Sequence, residues 1–319
     1  MPKFLYDFEK PIVEMDDEIA ELESRTMVSG SEVGDEVKKM RAKRTRLIKE
    51  TYAKLTRWQK VLLARHPDRP YTLDYIDMIC DSFTELHGDR LFGDDAAMVT
   101  GLAEIGGHNI LLVGHQKGKG TRENIKRNFG MAHPEGYRKA LRIMKLAEKF
   151  NRPIVSLIDT PGAFPGLGAE ERGQAEAIAR NLLEMSKLTV PVLIIIIGEG
   201  ASGGALGIGI GDRVLMMEHT WYSVISPEGC ASILFRDSSK APEAAEALKL
   251  TPNDLLKLGI IDGIIEEPDG GAHRSPEAAA KSLKKAILTN VRELGNLPVD
   301  ILLENRIAKY SNIGVWIDK

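Results

Sequence analysis

The sequence predicts an α/β protein organised on a parallel sheet, with helical arms ahead of it. Two strand–loop–helix units follow one another. Ile154 to Ile158 leads into Asp159-Thr160-Pro161-Gly162-Ala163-Phe164-Pro165-Gly166, and Val192 to Ile197 leads into the glycine-dense stretch Gly198 to Gly211. An unbroken run of branched apolar residues reads as a strand buried on both faces, the condition inside a parallel sheet. Strands alternating with helices give the same architecture. Residues 1–70, in contrast, show helical spacing with thin apolar seams among many charges.

Composition narrows the class. A chain of 319 residues accommodates one large domain with appendages or two small ones, and 43% hydrophobic residues suffice for a globular core. A net charge of -3 gives no general affinity for nucleic acid. Cys80 and Cys230 stand alone, so neither a zinc site nor a disulfide framework is expected on this chain. Met1 to Lys10 lacks the apolar core of a signal peptide, and no apolar run is long enough to span a bilayer. A soluble, cytoplasmic protein is expected.

In chain order, Ile12, Met15, Ile19 and Leu22 step by three and four and predict a first helix; Val28 to Gly34 reads as a turn. A second, basic helix from about Asp35 carries Val37, Met40, Leu47, Leu55, Trp58 and Leu62. Such thin seams do not fold alone, so the two arms clasp each other or another chain. His66 to Pro70 breaks the helix, and residues 71–319 follow as the main domain. Thr72 to Phe83 reads as a helix, His87 to Asp95 as a polar loop, and Met98 to Ile105 and Ile110 to Val113 as strands. A basic loop from Gln116 to Asn128 holds Lys117, Lys119, Arg122, Lys126 and Arg127; it is a solvated face or a phosphate site. Helices are expected from Pro134 to near Phe150 and from about Glu170 to Lys187. Strands are expected at Val214 to Met217, Tyr222 to Ile225 and Ile260 to Glu267. Helices begin at Ser226 and at Thr251-Pro252, the latter ending at Gly259, and Ser275 to Leu294 closes the fold.

The stretch Gly198 to Gly211 admits three chemistries. Gly198-x-Gly200-x-x-Gly203 with Glu218 downstream fits a dinucleotide fingerprint. Gly200-x-Ser202-x-Gly204 fits a hydrolase nucleophile elbow, with Asp262 and His273 in the matching chain order. The third reading is an oxyanion hole without a nucleophile. A helix starting near Ser202 leaves the N–H groups of Gly203, Gly204 and Ala205 unpaired, and these suit an oxygen that becomes an anion. Ser202 reads as a helix cap or a nucleophile, and Phe164 as loop packing or a pocket wall. His115 and His133 read as structural hydrogen-bonders or bases.

Several long motifs together are specific. DTPGAFPG (159–166), GEGASGGALGIG (198–209), YSVISPEGCASILF (222–235), NFGMAHPEGYRKALRIMKLAEKF (128–150), LTPNDLLKLGIIDGII (250–265) and FEKPI (8–12) resemble the α subunits of bacterial acetyl-CoA carboxylase carboxyltransferases, over essentially the whole length. That resemblance implies a crotonase-like spiral of ββα units with amino-terminal helical arms for assembly. It implies transfer of a carboxyl group from carboxybiotin to acetyl-CoA, giving malonyl-CoA for fatty acid synthesis. It also implies a β subunit carrying zinc in an α2β2 assembly, a biotin carrier protein bearing the biotin, and biotin carboxylase in the same complex. No metal is expected on this chain. The expected catalytic groups are the amides of Gly203, Gly204 and Ala205, with a second donor from the Gly162, Ala163, Phe164 and Gly166 loop. Lys119 and Arg122 are candidates for the phosphates of CoA.

Overall fold

The structure is a computed structural model that describes residues 5–29 and 31–315. Strands β1 (Ser82–Glu85), β2 (Met98–Ile105) and β3 (His108–His115) form an antiparallel meander. From β3 the sheet continues in parallel through β4 (Ile154–Thr160), β5 (Val192–Ala201), β6 (Arg213–Met217) and β8 (Gly263–Ile265), while β7 (Trp221–Ser223) pairs with the far end of β5. The expected α/β class and central parallel strands are present; the antiparallel opening was not visible in the apolar pattern.

Successive side chains of a strand point to opposite faces, so the run Val192 to Ile197 divides by parity. Val192, Ile194 and Ile196 enter one apolar layer with Ile143 and Met144 of helix α6 (Pro134–Lys149) and Ala177 and Met185 of α8 (Gln174–Ser186); Leu193, Ile195 and Ile197 enter another with Ile76, Ile79, Leu283 and Ile287. Each such side chain removed from water contributes roughly 1.5–3 kcal/mol. That double burial is why the run contains no polar alternation.

Helices α1 (Lys10–Ser29) and α2 (Ser31–Ala53) pack on each other through Ile12, Met15, Ile19, Val37, Ile48 and Tyr52, so the arms clasp within the chain. The expected Val28–Gly34 turn is helical on both sides of Gly30, which lies outside the described residues. The second arm helix is shorter than its apolar spacing suggests. Thr56 and Gln59 form a capping box that starts a separate α3 (Arg57–Ala64), turning Trp58 and Val61 towards Trp221, Ala245 and Leu250 of the main domain. Helix α4 (Thr72–Ile79) likewise stops before Phe83. Ser82–Glu85 instead pairs with β2, where Gly101 leaves room for the Phe83 ring.

The remaining helices are α5 (Thr121–Lys126), α6 (Pro134–Lys149), α7 (Leu167–Glu171), α8 (Gln174–Ser186), α9 (Ser202–Leu206), α10 (Pro227–Phe235), α11 (Ala241–Leu248), α12 (Pro252–Lys257), α13 (Pro276–Gly295) and α14 (Val299–Ser311). The helix expected from Glu170 to Lys187 is broken at Gly173, whose φ of 83° ends α7 and admits α8 at a new angle. Helix α14 adds a second closing helix after the one expected at Ser275 to Leu294. Its Arg306 is buried on Asp212 and on the carbonyls of Met185, Leu188 and Val190.

Candidate active site

The site is built where β4 and β5 part. Ile158 pairs with Ile196, yet Thr160 pairs with Gly200, so the register slips by two residues. Asp159 fills that irregularity: a Cβ on Gly198 would lie 2.3 Å from its Oδ1, and the Glu199 N–H donates to that oxygen at 2.9 Å. Beyond the slip each strand opens into its glycine loop. The two loops then meet. A Cβ on Gly204 would lie 2.3 Å from the carbonyl carbon of Gly162 and 2.6 Å from the nitrogen of Ala163, so only glycine permits this backbone approach. Gly203 is different: a Cβ there would touch only Ile178, at 3.5 Å.

An accounting of backbone donors narrows the chemistry. In the first loop Pro161 and Pro165 have no N–H. The Gly162 N–H donates to Thr160 Oγ1 at 3.1 Å, and the Phe164 N–H to the Ala132 carbonyl at 3.0 Å. Ala163 and Gly166 keep unpaired N–H groups among the described residues, and of these Ala163 lines the cleft. In the second loop the N–H groups of Gly203 and Gly204 head the short α9 and have no acceptor among the described residues, whereas Ala205, expected as a third donor, is the fourth residue of that helix, where the intrahelical ladder begins on the carbonyl of the N-cap Ala201. Two sets of unpaired donors therefore converge from opposite loops.

Ala163 and Gly203, one from each loop, line a cleft of about 800 Å³ whose walls also include Phe164, Ile178, Val224 and Ser226, with Gly204 buried directly behind them. Phe164 stacks on His133 with ring centroids 4.2 Å apart, and Gly166 lies flat beneath its ring. Gln174 Nε2 ties the loop down through the carbonyls of Ala132 and Phe164.

Residues 5–314 match the family described as acetyl co-enzyme A carboxylase carboxyltransferase-like. The chain belongs to that family. It is 55% identical over 327 residues to the acetyl-coenzyme A carboxylase carboxyl transferase subunit alpha of Chlorobium luteolum, covering 98% of each chain, and 54% identical to that of Geobacter metallireducens, covering 97% of this chain and 96% of the relative. Among solved structures, transcarboxylase 12S aligns with a TM-score of 0.56 at 22% identity over 70% of this chain; the match spans 42% of the transcarboxylase chain. A Pseudomonas malonate decarboxylase hetero-tetramer aligns with a TM-score of 0.58 at 15% identity, covering 74% of this chain and 91% of that one. The fold is the crotonase-type fold of carboxyltransferases.

Against this family background the rival motifs lose their geometry. Ser202 is exposed and sits at φ 55°, but no histidine lines its cleft among the described residues. His273 Nε2 instead donates to Glu9 Oε1 at 2.9 Å, and Asp262 accepts from Val214 N and Lys309. Ser202 does not cap α9 either, because Ala201 holds that position. The dinucleotide fingerprint fails because Gly198 and Gly200 belong to β5, packed on Asp159 and Tyr222, and Glu218 accepts from the backbone of Glu267. Burial pushes His115 down to about 3, which keeps it neutral.

Lys119 and Arg122 stand away from the cleft lining. Both are exposed, and Lys119 pairs with Asp74. Sequence reasoning missed the ions behind the loops. Lys117 is buried, with its Nζ 2.6 Å from both Asp159 Oδ1 and Glu199 Oε2; Arg65 holds the other oxygen of Glu199 at 2.5 Å and continues to Glu228. The available signal was a carboxylate at the end of each buried apolar strand, Asp159 and Glu199, since such charges require partners. Glu9, His66 and His273 offer metal-type atoms within 4.8 Å of one another, outside the cleft. Tyr52 and His273 both donate to Glu9 Oε1, and His66 Nδ1 accepts the Asp68 N–H.

Proposed function

We propose that this chain is the α subunit of the carboxyltransferase of an acetyl-CoA carboxylase, and that its two glycine loops stabilise an oxyanion formed during carboxyl transfer to acetyl-CoA. The approach of Gly204 onto the Gly162–Ala163 peptide, which brings unpaired donors from both loops to one cleft, carries this reading. The catalytic groups are the amides of Gly203 and Gly204, with the second donor assigned to Ala163; the Ala205 amide, spent inside α9, is not one of them. Phe164, Gly162 and Gly166 form the wall and floor of the substrate pocket.

Biotin, borne by a separate carrier protein, would supply a ureido ring that delivers the carboxyl group and leaves as a base. The neutral aromatic wall and the inward amides fit such a ring. The amides donate hydrogen bonds to the oxygen on which charge develops; losing one such donor costs ~2.7–4 kcal/mol of transition-state stabilisation. No titrating side chain of this chain is needed at the reacting atoms. Lys119 and Arg122, exposed after β3 at the same end of the sheet, are assigned to the phosphates of CoA.

We further assign residues 1–70 to assembly and 71–319 to the carboxyltransferase domain, with a zinc-bearing β subunit in an α2β2 arrangement, biotin carboxylase in the larger complex, and a cytoplasmic location. No helix among the described residues is long and apolar enough to cross a membrane. The test is co-expression with the candidate β subunit, followed by biotin-dependent decarboxylation of malonyl-CoA. Turnover that requires both chains is expected. Robust turnover by the isolated chain, unaffected by the β subunit, would overturn the assignment of a shared site.

A further inference from the structure

We infer that Lys117 is a positioning residue: its buried ammonium pins the roots of the two glycine loops together and thereby sets the distance between their amides. The inference rests on the oxyanion-hole reading above. Asp159 is the residue from which the first loop departs, and Glu199 stands three residues before Ser202 in the second. Both carboxylates reach one ammonium at 2.6 Å, inside the β4–β5 register slip, between the Ile158–Ile196 pair and the Thr160–Gly200 pair. Gly130 is the lid over this pin, since a Cβ there would lie 2.8 Å from Lys117 Cγ.

The charges facing the pin are few and named. Asp159 and Glu199 touch it; His115 on β3 and Tyr71 ahead of α4 feel its field; Arg65 and Glu228 lie beyond Glu199, and Arg69 beyond Asp159. Burial opposes the charge on Lys117, but the two carboxylates overcome that and raise its pKa. Burial opposes the charge on Glu199 as well, and Lys117 and Arg65 together hold its pKa low. Without the ammonium, two carboxylates would face each other in a dry site. One of them would then bind a proton far above the ordinary carboxylate range.

That consequence separates positioning from general structural support. In the complex with the β subunit, Lys117→Met is expected to lower kcat for biotin-dependent malonyl-CoA decarboxylation about 100-fold, with KM for malonyl-CoA changed less than threefold. Relative to the unaltered complex, its kcat should recover as pH falls from 8.5 to 6, because a shared proton replaces the ammonium between Asp159 and Glu199. Should Lys117→Met fail to fold, Lys117→Met/Asp159→Asn decides, since it removes one cation and one anion and restores the original charge balance. This double variant is expected to assemble and to regain at least tenfold in kcat over the single variant, or to show measurable turnover where the single variant yields none. A kcat within threefold of the unaltered complex for Lys117→Met overturns the inference. So does a loss expressed in KM alone, or a double variant that folds but is as inactive as the single one. Absence of biotin-dependent turnover in the unaltered complex would instead sink the carboxyltransferase reading.

Discussion

Replacing Gly204 with alanine is the sharpest perturbation of the site. The new methyl would start 2.3 Å from the Gly162 carbonyl carbon, whereas ordinary contact begins near 3.4 Å, so the Gly162–Ala163 peptide must retreat by about 1.1 Å. Both neighbours are backbone, and no side-chain rotation relieves the clash. A displacement of that size pulls the Ala163 amide out of hydrogen-bonding range of an oxygen held by the Gly203 and Gly204 amides. The expected loss is about 100- to 1,000-fold in kcat, or ~2.7–4 kcal/mol. Gly203→Ala is the control. Its methyl meets only Ile178 at 3.5 Å, and exchanging glycine for alanine in a helix favours the folded state by roughly 0.5–1 kcal/mol. Gly203→Ala should therefore melt no lower than the unaltered chain while hindering ligand entry. The assay is biotin-dependent malonyl-CoA decarboxylation by the complex with the β subunit, read alongside thermal unfolding. Gly204→Ala that retains kcat within threefold would refute the two-loop oxyanion hole.

Ser202→Ala should keep most of its activity, because no base faces the hydroxyl; a loss of several orders of magnitude with assembly intact would restore a nucleophilic role. Arg122→Ala is expected to raise KM for the CoA substrate with kcat nearly unchanged, by roughly 1.5–3 kcal/mol of lost charge-assisted binding, and an unaltered KM would remove this residue from the CoA site. The joint between arm and main domain should weaken in acid. Burial, aided by His273, lowers His66 from 6.5 to about 4, so the unfolded chain binds a proton that the native joint refuses. Stability is thus lost between those two values, by about 2 kcal/mol at pH 5. Burial opposes the charge of Glu9, but its bonds from His273 and Tyr52 hold it near 2, so its contribution, present above 4.5, disappears only at lower pH. Thermal unfolding at pH 7.5 and 5, with and without His66→Gln, measures the first effect; an identical pH slope in the variant would refute it.

Much of the sheet was legible in the sequence because its central strands have no polar face. The run Val192 to Ile197 can lie only between two apolar layers, and the glycines after it announce close backbone approach. The family motifs carried the crotonase-type fold and the carboxyltransferase reading. The helical seam of Ile12, Met15 and Ile19 was equally plain, but whether it met its own chain or another was not. Spacing reports that a face needs cover, whereas the identity of the cover is a long-range contact.

What only the tertiary structure decided follows from the same limit. Periodicity made Trp58 and Leu62 an extension of the second arm, because a helix can continue through Leu55 as far as spacing is concerned. The Thr56 cap and the pocket around Trp221 turned the chain instead. Lys117 looked like one of five cations in an open loop. It is buried because Asp159 and Glu199, 42 and 82 residues away along the chain, end up on the strands beside it. The choice of donor was equally hidden: Gly162 and Phe164 sit in the same motif as Ala163, yet Thr160 and Ala132 take up their N–H groups. Which amide of a loop stays free depends on where the other acceptors lie in space, and sequence adjacency carries no information about that.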